Sequence, residues 1–378
     1  MKRVGLVVLI FSASFLSVAW GQQPAGKCIN DWSEFHRTNM QRSNPCETTL
    51  NVGNVKDLTR VGWFFGYSSL TSPTEANGML YFGADNNNLY GANLTTGKQW
   101  AYATGGHVES SPAVASGVVY VGSDDNNVYA LNAKTGTKLW SYATGNQVHS
   151  SPTVTNGVVY FGSHDNSVYA LNATTGALLW SFATNGAVGY SSPAVANGTV
   201  YVGSNDHNVY ALNASSGAKV WSFATGDQVN SSPAVDNGVV YVGSNDHNVY
   251  ALNAATGAKA WSFATKGSVG YSSPAVAKGK VYVGSFGIVY ALNTSTGAQV
   301  WRRPIGQHNV PSSPAVANGV VYISLVNTVF GVGTIVLDAT TGVSLWHYPT
   351  GGVNSSPIVV NGRIYVAGPG EIDVFGLL

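Results

Sequence analysis

Residues 231–261 read SSPAVDNGVVYVGSNDHNVYALNAATGAKAW, and the chain repeats this stretch from end to end in slightly altered form. Its prolines recur at Pro73, Pro112, Pro152, Pro193, Pro233, Pro274, Pro314 and Pro357. A period near 40 made of short β-rich runs denotes a radial or stacked repeat, not a single-core enzyme domain. Within the fifth unit, Ser232–Val235, Val239–Val242, Val249–Leu252 and Lys259–Phe263 alternate or run together as strands. Asn237-Gly238 predicts a two-residue hairpin with positive φ at both positions, and Thr256-Gly257 predicts a second hairpin with Gly left-handed.

The two ends of the chain predict how the repeats close. The last unit supplies Ser356–Val360, Arg363–Ala367 and Ile372–Gly376 but no fourth strand, while Arg60–Gly66 is a fourth strand with no first three before it. Pairing them removes two exposed sheet edges. The expected fold is all-β: an eight-bladed β-propeller of four-stranded antiparallel blades, closed by an N-terminal strand completing the last blade. Trp63, Trp100, Trp140, Trp180, Trp221, Trp261, Trp301 and Trp346 give one indole per blade at one phase. Eight equivalent copies suit packing between blades better than one ligand site.

Composition agrees. Charged residues make up 9% of the chain, aromatics 11%, and there are 45 glycines, as expected of tight turns and few solvated helices. A net charge of +1 provides no field for nucleic acid or anionic lipid. Lys2 and Arg3 precede an apolar run from Val4 to Val18, followed by Ala19-Trp20-Gly21, the pattern of a cleaved export signal. The expected organisation is a signal peptide over 1–21, a leader over 22–59 and the propeller over 60–378, with no transmembrane segment after signal removal. Cys28 and Cys46 are the two cysteines. In an exported protein they are expected to pair, stabilising the leader by ~3 kcal/mol.

The motif Ala-Leu-Asn-Ala-x-Thr-Gly-x-x-x-Trp, together with Ser-Ser-Pro-Ala-Val and Val-Tyr-Val-Gly-Ser, resembles the repeat of pyrroloquinoline-quinone-type (PQQ-like) propellers, and Asp31–Arg37 resembles the Trp-x-x-Phe segment that precedes them. The resemblance covers residues 31 to 378. It implies either a quinone- and calcium-dependent alcohol or sugar dehydrogenase or a cofactor-free member, such as the propeller lipoprotein of outer-membrane β-barrel assembly, which is closest in size. The quinone enzymes of the family carry adjacent cysteines and long insertions, and neither occurs in this chain. A tricarboxylate quinone also calls for Arg or Lys around it, and the expected ligand face has almost none.

That face is the one bearing the interblade loops, and there the repeat stops repeating. The position before Ser-Ser-Pro reads Glu109, His149, Tyr190, Asn230, Tyr271, Pro311 and Asn354. Such a ring of unlike side chains suits one asymmetric ligand, and it equally suits unconstrained loop residues. Asp85, Asp125, Asp165, Asp206 and Asp246 open the neighbouring loops, where turn chemistry explains them better than metal binding. His107, His149, His164, His207, His247 and His308 share the face, which could hold a transition metal weakly or change charge between about pH 5 and 7. No metal site is assigned. In the seventh unit, Val326–Gly333 reads as an apolar partner contact or as a longer paired hairpin.

No nucleophile elbow, phosphate loop or helix-borne metal motif occurs. The expected function is therefore that of an exported, periplasmic or extracellular, monomeric and non-enzymatic propeller. It would bind a protein or cell-envelope component, not nucleic acid, through Glu109, His149, Tyr190, Asn230, Tyr271 and Asn354, without a cofactor. The alternative is the quinone- and calcium-dependent dehydrogenase.

Overall fold

In the fifth repeat the strands are Ala234–Asp236, Val239–Gly243, Asn248–Asn253 and Lys259–Ala264. The first begins two residues later than the sequence pattern suggests. Pro233 has no N–H for a ladder, and the Ser232 N–H donates instead to Ser273 Oγ of the next repeat at 3.0 Å. The turns form as expected, with φ of 47° at Asn237, 76° at Gly238 and 72° at Gly257. The computed structural model describes residues 31–37, 40–65, 71–306, 312–328, 331–349, 355–368 and 370–378. Among them are eight blades of four antiparallel strands in sequence order; the last takes Thr59–Phe65 as its outermost strand against Glu371–Gly376, and the seventh gains Ser43–Asn44 of the leader as a parallel fifth strand. The seventh blade settles its insertion as a longer hairpin, Val320–Thr328 with Gly331–Asp338.

The core lies between blades. One cluster joins Ala234, Tyr241, Val249 and Trp261 of blade 5 to Val276, Val283, Tyr290 and Leu292 of blade 6. Close approach explains the glycine of Val-Tyr-Val-Gly: a Cβ on Gly243 would stand 2.2 Å from Val269 Cγ1. Each seam is also hydrogen-bonded. Trp221 Nε1 and Tyr201 Oη of blade 4 both donate to the Ala254 carbonyl of blade 5, at 2.9 and 3.0 Å. The same double donation recurs at Ala173, Ala214, Thr294 and Ala339.

The eighth indole departs from the expected equivalence. Trp63 is 52% exposed, and the Arg60 guanidinium lies 5.0 Å from its ring centroid. Leu94 stands in blade 1 where the other blades present Ala133, Ala173, Ala214, Ala254, Thr294 or Ala339. Leu94 packs against the core cluster that the leader shares with blades 1, 7 and 8.

The leader is an integral part of the propeller. It crosses the Asn-Gly end of the axis and meets the innermost strand of every blade in order. Trp32 exchanges two backbone hydrogen bonds with Glu75, and Ser33 accepts from Val114 N. The Glu34 carboxyl accepts from Val154 N, and His36 Nε2 lies 3.5 Å from the Ser192 carbonyl. Met40, Gln41 and Arg42 carbonyls accept from Val235, Val276 and Val316, and Asn44 Nδ2 donates to the Val359 carbonyl at 2.8 Å. Arg42 is fully buried. It donates to the carbonyls of Pro314, Pro357 and Phe35 while its guanidinium covers the Phe35 ring at 4.5 Å. Cys46 is not a free thiol; its expected partner Cys28 lies outside the described residues.

Two outcomes test this arrangement. Trp221→Ala, which opens a seam, should cost ~3–5 kcal/mol of stability, and Trp63→Ala under about 1 kcal/mol, read by chemical denaturation. Burial raises the Glu34 carboxyl to about 8. The folded state therefore holds a proton that the unfolded state releases between the ordinary glutamate value and about pH 8, so stability falls as pH rises through that window. The melting temperature should drop between pH 6 and 8.5, and Glu34→Gln, which keeps an acceptor for Val154 N, should flatten the drop.

Candidate functional site

The serine of each Ser-Ser-Pro that faces the next blade belongs to a belt around the axis. Ser111 N donates to Ser151 Oγ, and the pattern continues through Ser192, Ser232, Ser273, Ser313 and Ser356 to Ser72, at 2.8–3.0 Å. The belt walls a pocket of about 330 Å³. Phe35 of the leader lies at its base, and Glu109, His149, Tyr190 and Tyr271 line it on the loop side. All four hold the position that precedes Ser-Ser-Pro in their repeats.

Two glycines bring the aromatic groups together. Blades 4 and 6 carry one extra residue, Gly189 and Gly270, before the tyrosine. A Cβ at Gly189 would stand 2.1 Å from His164 Nε2, and Gly270 has φ +35°. Tyr190 then meets Tyr271 at 5.0 Å between ring centroids, His149 at 5.2 Å and His164 at 5.4 Å. Burial, followed by Tyr271 and the carboxylates of Glu109 and Asp124, holds the Tyr190 phenol above its ordinary pKa, so it remains a neutral hydrogen-bond donor. Burial and then His149 push His164 below the usual imidazole value. The mouth is therefore an aromatic cluster with a carboxylate on one side.

Asn230 is not part of this lining. It is 7% exposed, and its Oδ1 is buried without a hydrogen bond among the described residues. Asn354 and Pro311 lie outside the described residues.

The loop aspartates serve the fold. Asp125 Oδ2 accepts from Tyr129 Oη and Gly105 N, both at 2.6 Å, and Asp165, Asp206 and Asp246 are held in the same way. Burial pulls the carboxyls of Asp125, Asp206 and Asp246 upward, but their hydrogen bonds hold all three below the ordinary carboxylate range. The left-handed residues that follow are Asn126, Asn166, His207 and His247. Asp85 is a correction to the series. In blade 1 it is Asn86 that bonds the tyrosine, Tyr90, and Asn87 that is left-handed, so Asp85 occupies the preceding position. That position, Asp85, Asp124, His164, Asn205 and Asn245 in blades 1 to 5, faces the mouth at Asp124 and His164. Its variability was the signal that would have found Asp124.

Fold and site define an eight-bladed propeller with an axial pocket based on its own leader and bordered by unlike loop side chains. The family model described as outer membrane protein assembly factor BamB matches residues 86–192 and 183–373, and the chain belongs to this PQQ-like β-propeller family. No curated protein matches the sequence. Among solved structures, BamB from Moraxella catarrhalis is 20% identical with a TM-score of 0.71, covering 84% of this chain and 97% of that one. Quinohemoprotein alcohol dehydrogenase from Comamonas testosteroni is 16% identical with a TM-score of 0.79, covering 93% and 81%. The computationally designed protein Ika8 is 17% identical with a TM-score of 0.72, covering 82% and 97%. At these identities the likeness concerns the fold, and it does not choose between activities.

The lining itself does not fit a quinone tricarboxylate. Among the described lining residues there is one charged group, Glu109, and no Arg or Lys, so anion binding would meet repulsion instead of paired cations. Calorimetric titration of the protein with pyrroloquinoline quinone in calcium buffer should show no binding; a one-to-one micromolar complex would overturn this reading.

Proposed function

We propose that the protein is an exported, monomeric, non-catalytic propeller that binds a segment of a protein or cell-envelope component at the mouth of its axial pocket. The observation that carries the proposal is the joining of Tyr190, Tyr271 and His149 beside Glu109 over a recess with a base. Aromatic groups with a polar tip give large contact area and a hydrogen bond at low entropic cost. The neighbouring carboxylates of Glu109 and Asp124, both paired to His149, favour a segment with a Lys, an Arg or a free amine. The family model described as outer membrane protein assembly factor BamB, matched over residues 86–192 and 183–373, supports a protein partner and an envelope location. So does the amino-terminal pattern of Lys2, Arg3 and the apolar run to Val18. Among the described residues, no helix is long and apolar enough to cross a membrane.

A photo-crosslinking amino acid placed at Tyr190 should capture an envelope protein in cells. The same group at Lys134, on an exposed hairpin of the opposite face, should not. Tyr271→Ala should weaken the captured complex about 10-fold, the ~1.4 kcal/mol scale of one lost aromatic contact. Equal capture from both faces would reject the assignment of the binding face.

A further inference from the structure

Beside the pocket, the loops of blades 1 to 3 gather donor atoms that the binding of a protein segment does not require. His107, Glu109 and Asp124 each offer one ligand atom, and the three atoms lie within 4.8 Å of one another. The backbone fixes them. Asp124 N donates to the His107 carbonyl at 2.8 Å, and a Cβ on Gly106 would stand 2.6 Å from Asp125 N, so this close approach of the two loops calls for glycine.

A fourth residue supports the set from behind. The His149 side chain is 8% exposed, with Nε2 at 2.7 Å from Asp124 Oδ1 and Nδ1 at 3.5 Å from Glu109 Oε2. Nδ1 also lies 3.1 Å from His164 Nε2. His149 Nε2 and Asp124 Oδ1 are both buried, yet among the described residues neither has a partner in hydrogen-bonding geometry. Among the described residues the ion pairs of Glu109 and Asp124 are with His149 alone, leaving two converging carboxylates with no permanent cation.

The repeat does not demand this set. The positions equivalent to His107, Glu109 and Asp124 read Gln147, His149 and His164 in blade 3, and Gln228, Asn230 and Asn245 in blade 5. The neighbouring Asp125 already serves the turn.

We propose that His107, Glu109 and Asp124 bind one divalent transition-metal ion, with His149 as the positioning residue that orients both carboxylates. An imidazole donor favours zinc or its first-row neighbours over calcium and magnesium, which take oxygen ligands. Three protein donors leave at least one coordination position open, and with Glu109 lining the pocket that position adjoins its mouth. Ligating carboxylates are ordinarily held by outer partners, and the ion pair of His149 with Asp124 supplies one.

The test is calorimetric titration of the full-length exported protein, stripped with EDTA, against zinc chloride and separately against calcium chloride. It requires no partner, so its result is independent of the binding function proposed above. One zinc ion per chain should bind, with no matching uptake of calcium. His107→Ala and Asp124→Asn should each weaken zinc at least about 10-fold, and His149→Gln about 10–100-fold. The visible spectrum of the cobalt(II) form should shift in His149→Gln while the melting temperature of the metal-free variant stays at the wild-type value. His247→Ala, on an exposed loop of blade 5, should bind as wild type. Zinc binding unchanged in both His107→Ala and Asp124→Asn, equal uptake of calcium, or loss of the site in His247→Ala would overturn the proposal.

Discussion

The innermost strand of each blade has one edge paired and the other turned towards the axis, and the rest of the structure depends on how those free edges are satisfied. An unpaired buried backbone group costs about 1–3 kcal/mol, and an eight-bladed ring repeats the problem in every blade. Two devices answer it. The serine belt ties the starts of the innermost strands together from blade 2 round to blade 1, and the leader supplies carbonyls or side chains to the strands themselves. Together they set the width of the pocket and its base. They also fix the radius at which the residue before each belt serine is held. Glu109, His149, Tyr190 and Tyr271 can therefore differ from blade to blade without disturbing the ring.

The repeated parts of this arrangement could be read directly. Asn-Gly and Thr-Gly pairs mark turns because their backbone geometry is demanding, and each recurs at one phase. Ring closure was legible from a strand missing at one end and spare at the other. The leader was not, because it has no repeat of its own. About one residue serves each blade, and the serving group is often a carbonyl, which every residue has. The phase error at Asp85 has a similar origin: Asp85-Asn86 looks like the Asp-Asn of the other loops, but Asn86 takes the aspartate's place on the tyrosine. Trp63 misled in the opposite sense. It keeps the phase of the other indoles, but the seam it would fill is changed by Leu94 on the far side.

The contrast between framework and rim limits what the family can say about activity. A dehydrogenase and a designed protein share the fold with comparable fidelity, as expected if the fold is set by belt and seams. The mouth of this chain is aromatic and acidic, with Glu109 and Asp124 on one side and no Lys or Arg in the described lining. His149 joins the two parts, since it lines the pocket and holds Asp124 at the same time.

The leader also imposes an order of assembly. Asn44 bonds to Val359, which lies 315 residues further along the chain, and Arg42 reaches equally far to Pro357. The leader can take its full native place only after the chain has been made as far as Val359. Contacts of such sequence separation are slow to form. Until they do, the inner edges it will cover stay open to water and to other chains. The base of the pocket thus records completion: a ring lacking its last blade would have no eighth strand for Asn44 to hold.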